Sequence, residues 1–187
     1  GFILLSAKNL SSRNTDIQKT RSNFVGSRLE YRNPLNNIFF NVNYNFNDRT
    51  NNVTFLNELD EASQQFIIKG YNLENNSKTN SARTELGKYF PKFKTNASVG
   101  YNYSLNNYQQ LPANSTPTES SFIDVEGVNQ GVSVKFNNNY FSWLSVDYNA
   151  NWNFNNTKSP DDARFNNKTN SFNHALSAYV YPFKNHT

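Results

Sequence analysis

The stretch Leu144-Ser145-Val146-Asp147-Tyr148-Asn149-Ala150-Asn151-Trp152-Asn153-Phe154-Asn155 decides how this chain is read. Leu144, Val146, Tyr148, Ala150, Trp152 and Phe154 alternate with Ser145, Asp147, Asn149, Asn151, Asn153 and Asn155. Successive side chains of a strand point to opposite faces, so the segment predicts one strand with an apolar face and a polar, mostly Asn face. Residues 38–47 repeat the pattern, with Phe40, Val42, Tyr44 and Phe46 opposing Asn41, Asn43, Asn45 and Asn47. Residues 93–106 do so again: Thr95, Ala97, Val99, Tyr101, Tyr103 and Leu105 oppose Asn96, Ser98, Gly100, Asn102, Ser104 and Asn106.

Weaker alternation fills the intervals. Val25, Ser27, Leu29 and Tyr31 share a face, as do Val128, Gln130, Val132, Val134 and Phe136, and Leu176, Ala178 and Val180. Residues 79–89, with Ala82, Thr84 and Leu86 opposing Arg83 and Glu85, give the poorest pattern. Residues 2–8 make one more candidate. The total is about eight strands, and the best of them sustain alternation over the roughly 9–11 residues that a tilted strand needs to cross a bilayer. A globular strand usually stops at about 5–6. Aromatics bracket the long segments: Tyr140, Phe141 and Trp143 precede one, with Trp152 and Phe154 at its far end. Phe90 and Phe93 precede another, with Tyr101 and Tyr103 opposite. Aromatic girdles at two membrane interfaces produce this arrangement.

Composition agrees with that reading. The 187 residues are only 36% hydrophobic yet 16% aromatic, with a mean hydropathy of -0.80. A disordered chain would be poor in aromatics. A membrane barrel stays polar on average because half of each strand faces an aqueous lumen. Asn is the commonest residue and suits a wet lumen as a neutral hydrogen-bonding side chain. No run of about 18 apolar residues predicts a transmembrane helix. The absence of Cys excludes a disulfide framework and thiolate metal sites. The formal charge of +4 is scattered, without the basic block that would point to nucleic acid.

Connections alternate between short and long. Short ones are expected at Asn33-Pro34-Leu35-Asn36, at Phe90-Pro91-Lys92-Phe93, around residues 137–142 and at Pro182-Phe183-Lys184-Asn185. Long polar ones are expected at residues 9–20, 49–76, 106–120 and 156–170. Tight periplasmic turns and long extracellular loops have this asymmetry, and it puts both Gly1 and Thr187 near the periplasmic side. Within the second long connection, residues 53–71 predict a hairpin that prolongs the strands beyond the membrane, with its tip near residues 60–63. A short helix at residues 57–66 is the alternative.

The turn residues resemble a known family. Tyr31-Arg32-Asn33-Pro34-Leu35-Asn36-Asn37-Ile38-Phe39-Phe40-Asn41, Gly87-Lys88-Tyr89-Phe90-Pro91, Phe141-Ser142-Trp143-Leu144-Ser145 and Tyr181-Pro182-Phe183-Lys184-Asn185-His186 are similar to periplasmic-turn signatures of Bacteroidetes TonB-dependent receptors. The similarity is to the outer-membrane β-barrel family found behind a carboxypeptidase-regulatory-like domain and a plug. It implies a large barrel of about 22 strands that imports bulky nutrients or metal chelates with energy from an inner-membrane TonB complex. This chain departs from the family in carrying no plug, no recognisable TonB box and no terminal aromatic, which fits an internal slice of the barrel.

The expectation is therefore an all-β protein, residues 1–187 forming a single antiparallel up-and-down transmembrane β-barrel segment in the bacterial outer membrane. Its partners would be outer-membrane lipid, the remainder of the barrel with its plug, and the TonB complex through the parent protein; nucleic acid is not among them. No enzymatic activity and no cofactor are expected, and no catalytic, cofactor-binding or metal-binding residue is singled out. His174 and His186 lack neighbouring ligands at metal spacing, and Asp60-Glu61 and Asp161-Asp162 read as solvated loop acids. Arg28, Arg83 and Lys135 are expected on the polar face, pairing with Glu30, Glu85 and Glu126. Two rivals remain: a complete small barrel of about eight strands serving as anchor or adhesin, closed by residues 2–8 against residues 172–181, and a soluble β-rich binding module.

Overall fold

The computed structural model describes residues 2–6, 9–12, 15–60, 65–112, 117–118 and 121–181. In chain order the strands are β1 (Phe2–Ser6), β2 (Asn9–Ser12), β3 (Thr20–Asn33), β4 (Ile38–Asn51), β5 (Thr54–Asp60), β6 (Gln65–Tyr71), β7 (Asn75–Phe90), β8 (Thr95–Gln110), β9 (Ile123–Phe141), β10 (Leu144–Lys158) and β11 (Asn167–Val180). Seven of them form one sheet in the order β3-β4-β7-β8-β9-β10-β11, and every neighbouring pair is antiparallel. It is an up-and-down meander of strands 14 to 19 residues long. Among the described residues β3 and β11 do not pair, so the sheet is open and no closed barrel forms.

Two of the short connections lie where the sequence puts them. Pro34–Asn37 joins β3 to β4 and Pro91–Lys94 joins β7 to β8. Each ends on a left-handed residue, Asn37 with φ 53° and Lys94 with φ 45°; Asn tolerates that region better than Lys does. The third differs. Residues 137–139 are not a turn, because β9 runs on to Phe141 and the chain reverses at Ser142–Trp143. The Asn run reads as turn chemistry, yet each side chain finds a partner in place: Asn137 donates to Asp147, and Asn138 donates to the Phe93 carbonyl at 3.0 Å. Cross-strand hydrogen bonds override local turn preference. The fourth expected turn, residues 182–185, lies outside the described residues.

At the opposite end, β5 and β6 form the antiparallel hairpin expected within residues 53–71. Residues 57–60 are strand, so the alternative helix does not form. The expected tip, residues 60–63, falls mainly outside the described residues. The N-terminal segment differs more. β1 pairs antiparallel with β2, and β2 pairs parallel with β6, giving a second sheet in the order β1-β2-β6-β5. The start of the chain therefore sits at the long-connection end, not at the short-turn end. It does not pair with β11, so the closure required of a small eight-stranded barrel is absent among the described residues. Residues 9–12, expected in a loop, are strand because β6 offers them a free edge.

Among the described residues the buried apolar side chains are few: Val53, Leu56, Leu111, Ile123 and Val125, all at the long-connection end. The accessible surface is 13376 Å², against about 9,200 Å² for a compact soluble monomer of this mass. Among the described residues no further strand or helix packs over either face of the large sheet.

Candidate functional site

The register aligns the apolar halves of all seven strands on one face. Leu29, Val42, Thr84, Tyr101, Val132, Trp152 and Phe172 form one continuous row, each paired with the next. The adjoining row on the same face is Tyr31, Phe40, Leu86, Val99, Val134, Ala150 and His174. Most of these side chains are exposed, Val132 at 37%, Leu29 at 62% and Phe172 at 57%. Scattered exposed apolar residues are ordinary, but a contiguous face of them marks an interaction surface.

The band has the same width in four of the seven strands. Its outer limits are Ile38 and Phe46 in β4, Ala97 and Leu105 in β8, Val128 and Phe136 in β9, and Phe172 and Val180 in β11. Each span is about nine residues, the length a tilted strand needs to cross hydrocarbon. The band also slants. Tyr31 ends it in β3, and the row of Tyr31 meets β11 at His174, whereas the apolar stretch of β11 continues to Val180. At its other edge the first polar residue moves from Asn23 in β3 to Asn170 in β11, and the row of Asn170 leads back to Ser27. A drift of about five residues over the width of the sheet corresponds to strands tilted by about 30° against the band, given roughly 3.3 Å per residue and 4.8 Å between strands. Barrel strands in membranes tilt by about 35–45°.

Aromatic side chains of the band, two of them in its central row, point their polar atoms away from its middle. Towards the long connections, the Tyr44 hydroxyl donates to Asn80 Oδ1 at 3.0 Å and the Tyr101 hydroxyl to Gln130 Oε1 at 3.2 Å. Trp152 Nε1 donates to Asn170 Oδ1 in the same direction. Towards the short turns, the Tyr31 hydroxyl instead accepts from Asn33 Nδ2 at 3.3 Å. There Tyr140, Phe141 and Trp143 cluster, with ring centroids 5.0 and 5.5 Å apart. Lys88 is the one cation within the apolar stretch of β7; its Nζ lies 5.3 Å from the Phe90 ring, one pair closer to the short turns. A side chain with an apolar stem and a polar tip adopts this posture at an apolar–aqueous boundary.

The other face is polar. Its central row is Arg28, Asn43, Arg83, Asn102, Gly131, Asn153 and Ser171. A Cβ at Gly131 would lie 2.9 Å from Asn153 Oδ1 and still closer to Asn102 Oδ1, so any larger residue there makes those side chains shift. Arg28 pairs with Glu30 as expected. Glu85 accepts from Ser98 Oγ at 3.1 Å. Lys135 lies on the polar face, but Glu126 does not. Glu126 has the parity of the valines of β9, stands opposite Lys158 and sits beyond the upper edge of the band. Pairing Lys135 with Glu126 is therefore excluded by the period of the strand.

His174 lies on the apolar face, its ring stacked on Phe172 at 5.5 Å and 6.3 Å from Tyr148. His186 lies outside the described residues, as does Glu61. Asp161 and Asp162 serve the loop itself: Asp161 Oδ2 accepts from the Asp124 amide at 3.2 Å, and Asp162 accepts from the Arg164 amide at 3.0 Å. The Arg164 guanidinium, hydrogen-bonded to Asp162, holds that carboxyl below its usual range. Among the described residues no group of three or more His, Cys, Asp or Glu side chains could hold a metal ion, and no helix is long and apolar enough to cross a membrane.

No protein-family model matches the chain, and no curated protein matches it by sequence. What stands is an all-β protein built on a seven-stranded antiparallel sheet of long strands, with one apolar and one polar face.

Proposed function

We propose that this chain is a wall segment of a transmembrane β-barrel in the bacterial outer membrane. Its apolar face meets lipid and its Asn-rich face lines a water-filled lumen. The slanted apolar band, about nine residues wide in β4, β8, β9 and β11, with aromatic side chains whose polar tips diverge, is the observation that carries this reading. In water that face would be a large uncovered apolar surface; in lipid it is satisfied. Among the described residues the edges of β3 and β11 are unpaired, and each presents backbone N–H and C=O groups that hydrocarbon cannot satisfy. Further strands of the same barrel would satisfy them.

The turn residues narrow the proposal to a TonB-dependent receptor that takes up bulky nutrients or metal chelates. In that setting a plug domain and the TonB complex act through the parent protein, and this segment contributes wall and extracellular loops. Its role is structural and not enzymatic.

Quenching by brominated lipids tests the membrane reading. Trp143 lies at the short-turn edge of the band, whereas Trp152 pairs with Val132, midway along the β9 span. In vesicles, Trp143 should be quenched more by bromine near the headgroup and Trp152 more by bromine towards the bilayer centre. Quenching absent at both depths would overturn the proposal.

A further inference from the structure

We infer that the short-turn rim of the sheet, on its apolar side, is a docking surface for anionic phospholipid headgroups of the adjoining leaflet. The inference rests on the membrane reading given above and adds the chemistry of the lipid at one boundary.

The charges of the chain are sorted by end. Among the described residues the short-turn end carries Arg32, Lys88, Lys92 and Lys94, all exposed, and no carboxylate. Glu30, Glu85 and Asp147 come nearest along the strands, but all of them belong to the polar face. There Glu30 pairs with Arg28, Glu85 accepts from Ser98 and Asp147 accepts from Asn137. The other Asp and Glu residues lie in or beside the long connections, at residues 16, 48–74, 119–126 and 161–162. Cations are mixed with carboxylates at that end: Lys78 stands opposite Asp48, and Lys158 opposite Glu126.

The three lysines of the short-turn end stand at the lipid boundary. Lys88 lies in the row that ends the band, between Ile38 and Ala97 with Phe136 beyond. Its Nζ leans towards the short turns, 5.3 Å from the Phe90 ring. Lys92 and Lys94 lie past that row, in the turn between β7 and β8. Arg32 has the parity of Arg28 and Glu30 and belongs to the lumen side. The Lys94 carbonyl accepts from the Asn139 amide at 3.0 Å, which ties this turn to the end of β9, where the Tyr140, Phe141 and Trp143 rings cluster. Lysines beside aromatic rings at a membrane edge meet headgroups, and each lysine near such a surface favours the anionic ones. A soluble acidic partner would match the charge of the turn but not Lys88, which rises from a lipid-facing row.

The conformation of Lys94 is an independent observation. Lys94 is left-handed, with φ 45°, where Gly or Asn is the less strained choice and where Asn37 serves the β3–β4 turn. Among the described residues its side chain makes no hydrogen bond or ion pair that would offset the strain. Strain kept at an exposed turn points to a demand on the side chain, and what lysine supplies there is charge.

Tryptophan quenching in vesicles of phosphatidylcholine mixed with phosphatidylglycerol tests the inference. Bromine near the headgroup is carried by phosphatidylglycerol in one set and by phosphatidylcholine in the mirrored set, and W152F leaves Trp143 as the reporter. Both leaflets share one composition, so the direction of insertion does not matter. Phosphatidylglycerol should be preferred around Trp143 by about five-fold, the weight of one lysine's attraction. K94G should lower that preference by about two-fold and K88Q/K92Q/K94G should bring it to about one, whereas K158Q/K168Q leaves it unchanged. Glycine relieves the turn, so a loss in K94G does not report misfolding. An inserted protein quenched in proportion to lipid composition overturns the headgroup inference and leaves the membrane reading standing. So does a preference that survives K88Q/K92Q/K94G or falls equally in K158Q/K168Q. Absence of quenching in both sets overturns both.

Discussion

Val132 and Ser133 are neighbours in β9 and belong to opposite faces, which makes them a matched pair for testing what each face touches. Val132 sits at the middle of the apolar stretch of β9, between Tyr101 and Trp152 in its row. Ser133 lies between Gly100 and Asn151 on the polar face. The difference in strand propensity between the Val and Ser being replaced is at most about 1 kcal/mol, so a larger difference between the two variants reports the surroundings. If the apolar face meets hydrocarbon, V132K places a cation at the bilayer midplane at a cost of about 2–4 kcal/mol. That is a factor of about 30 to 1,000 in the folding equilibrium. S133K projects into water, where surface substitutions change stability by about 0.5 kcal/mol or less. Urea unfolding of the vesicle-refolded protein, followed by tryptophan fluorescence, measures both. Val132 is 37% exposed, so were that face in water, V132K would be as mild as S133K. Equal unfolding midpoints for the two variants would refute the assignment of the faces.

Other outcomes follow from single contacts. A Cβ at Gly87 would run into the Phe39 ring, its cross-strand partner on the polar face, so G87V should lower stability by about 1–3 kcal/mol and F39A should recover part of the loss in the double variant. K94G should raise stability by up to about 1 kcal/mol, because Lys94 holds φ 45° at the β7–β8 turn and glycine does so without a Cβ penalty; a destabilised K94G in the same urea assay contradicts the turn assignment. Hydrogen exchange should show the Ser159–Asn166 loop loosening as pH falls. The folded carboxyl of Asp162 is held low by Arg164, so its contribution is complete above the carboxyl's unfolded value and is lost as pH drops through the lower folded value. D162N should abolish that pH dependence while leaving the strands protected.

Much of the fold was legible because the alternating residues of β4, β8 and β10 lie where two unlike media meet. A strand with hydrocarbon on one side and water on the other cannot hide its period. Where both sides are wet, the signal ends: β4 continues from Asn47 to Asn51 and β10 from Asn155 to Lys158, yet these ends alternate polar with polar. The same reasoning explains the misplaced β9–β10 turn, since Asn137, Asn138 and Asn139 carry no apolar partner to reveal a strand. β1 forms within the strand expected at residues 2–8, but its pairing and β2 were hidden for another reason. The place of β2 beside β6 depends on a free edge contributed by residues far along the chain, which local pattern does not encode. The pairing of Lys135 with Glu126 failed on parity alone. The divergence of Tyr31 from Tyr44, Tyr101 and Trp152 was also hidden, because direction along a strand is set by rotamer and neighbours, not by spacing.

The most direct measurement of the central claim uses the absence of cysteine, which makes any introduced Cys unique in the chain. Spin labels placed one at a time from Ser145 to Trp152 in vesicle-reconstituted protein report collisions with oxygen, which dissolves in lipid, and with a water-soluble nickel chelate. Labels at Val146, Tyr148, Ala150 and Trp152 should favour oxygen, and labels at Ser145, Asp147, Asn149 and Asn151 the nickel chelate, in strict alternation. Equal nickel access at all eight positions would contradict a lipid-facing wall.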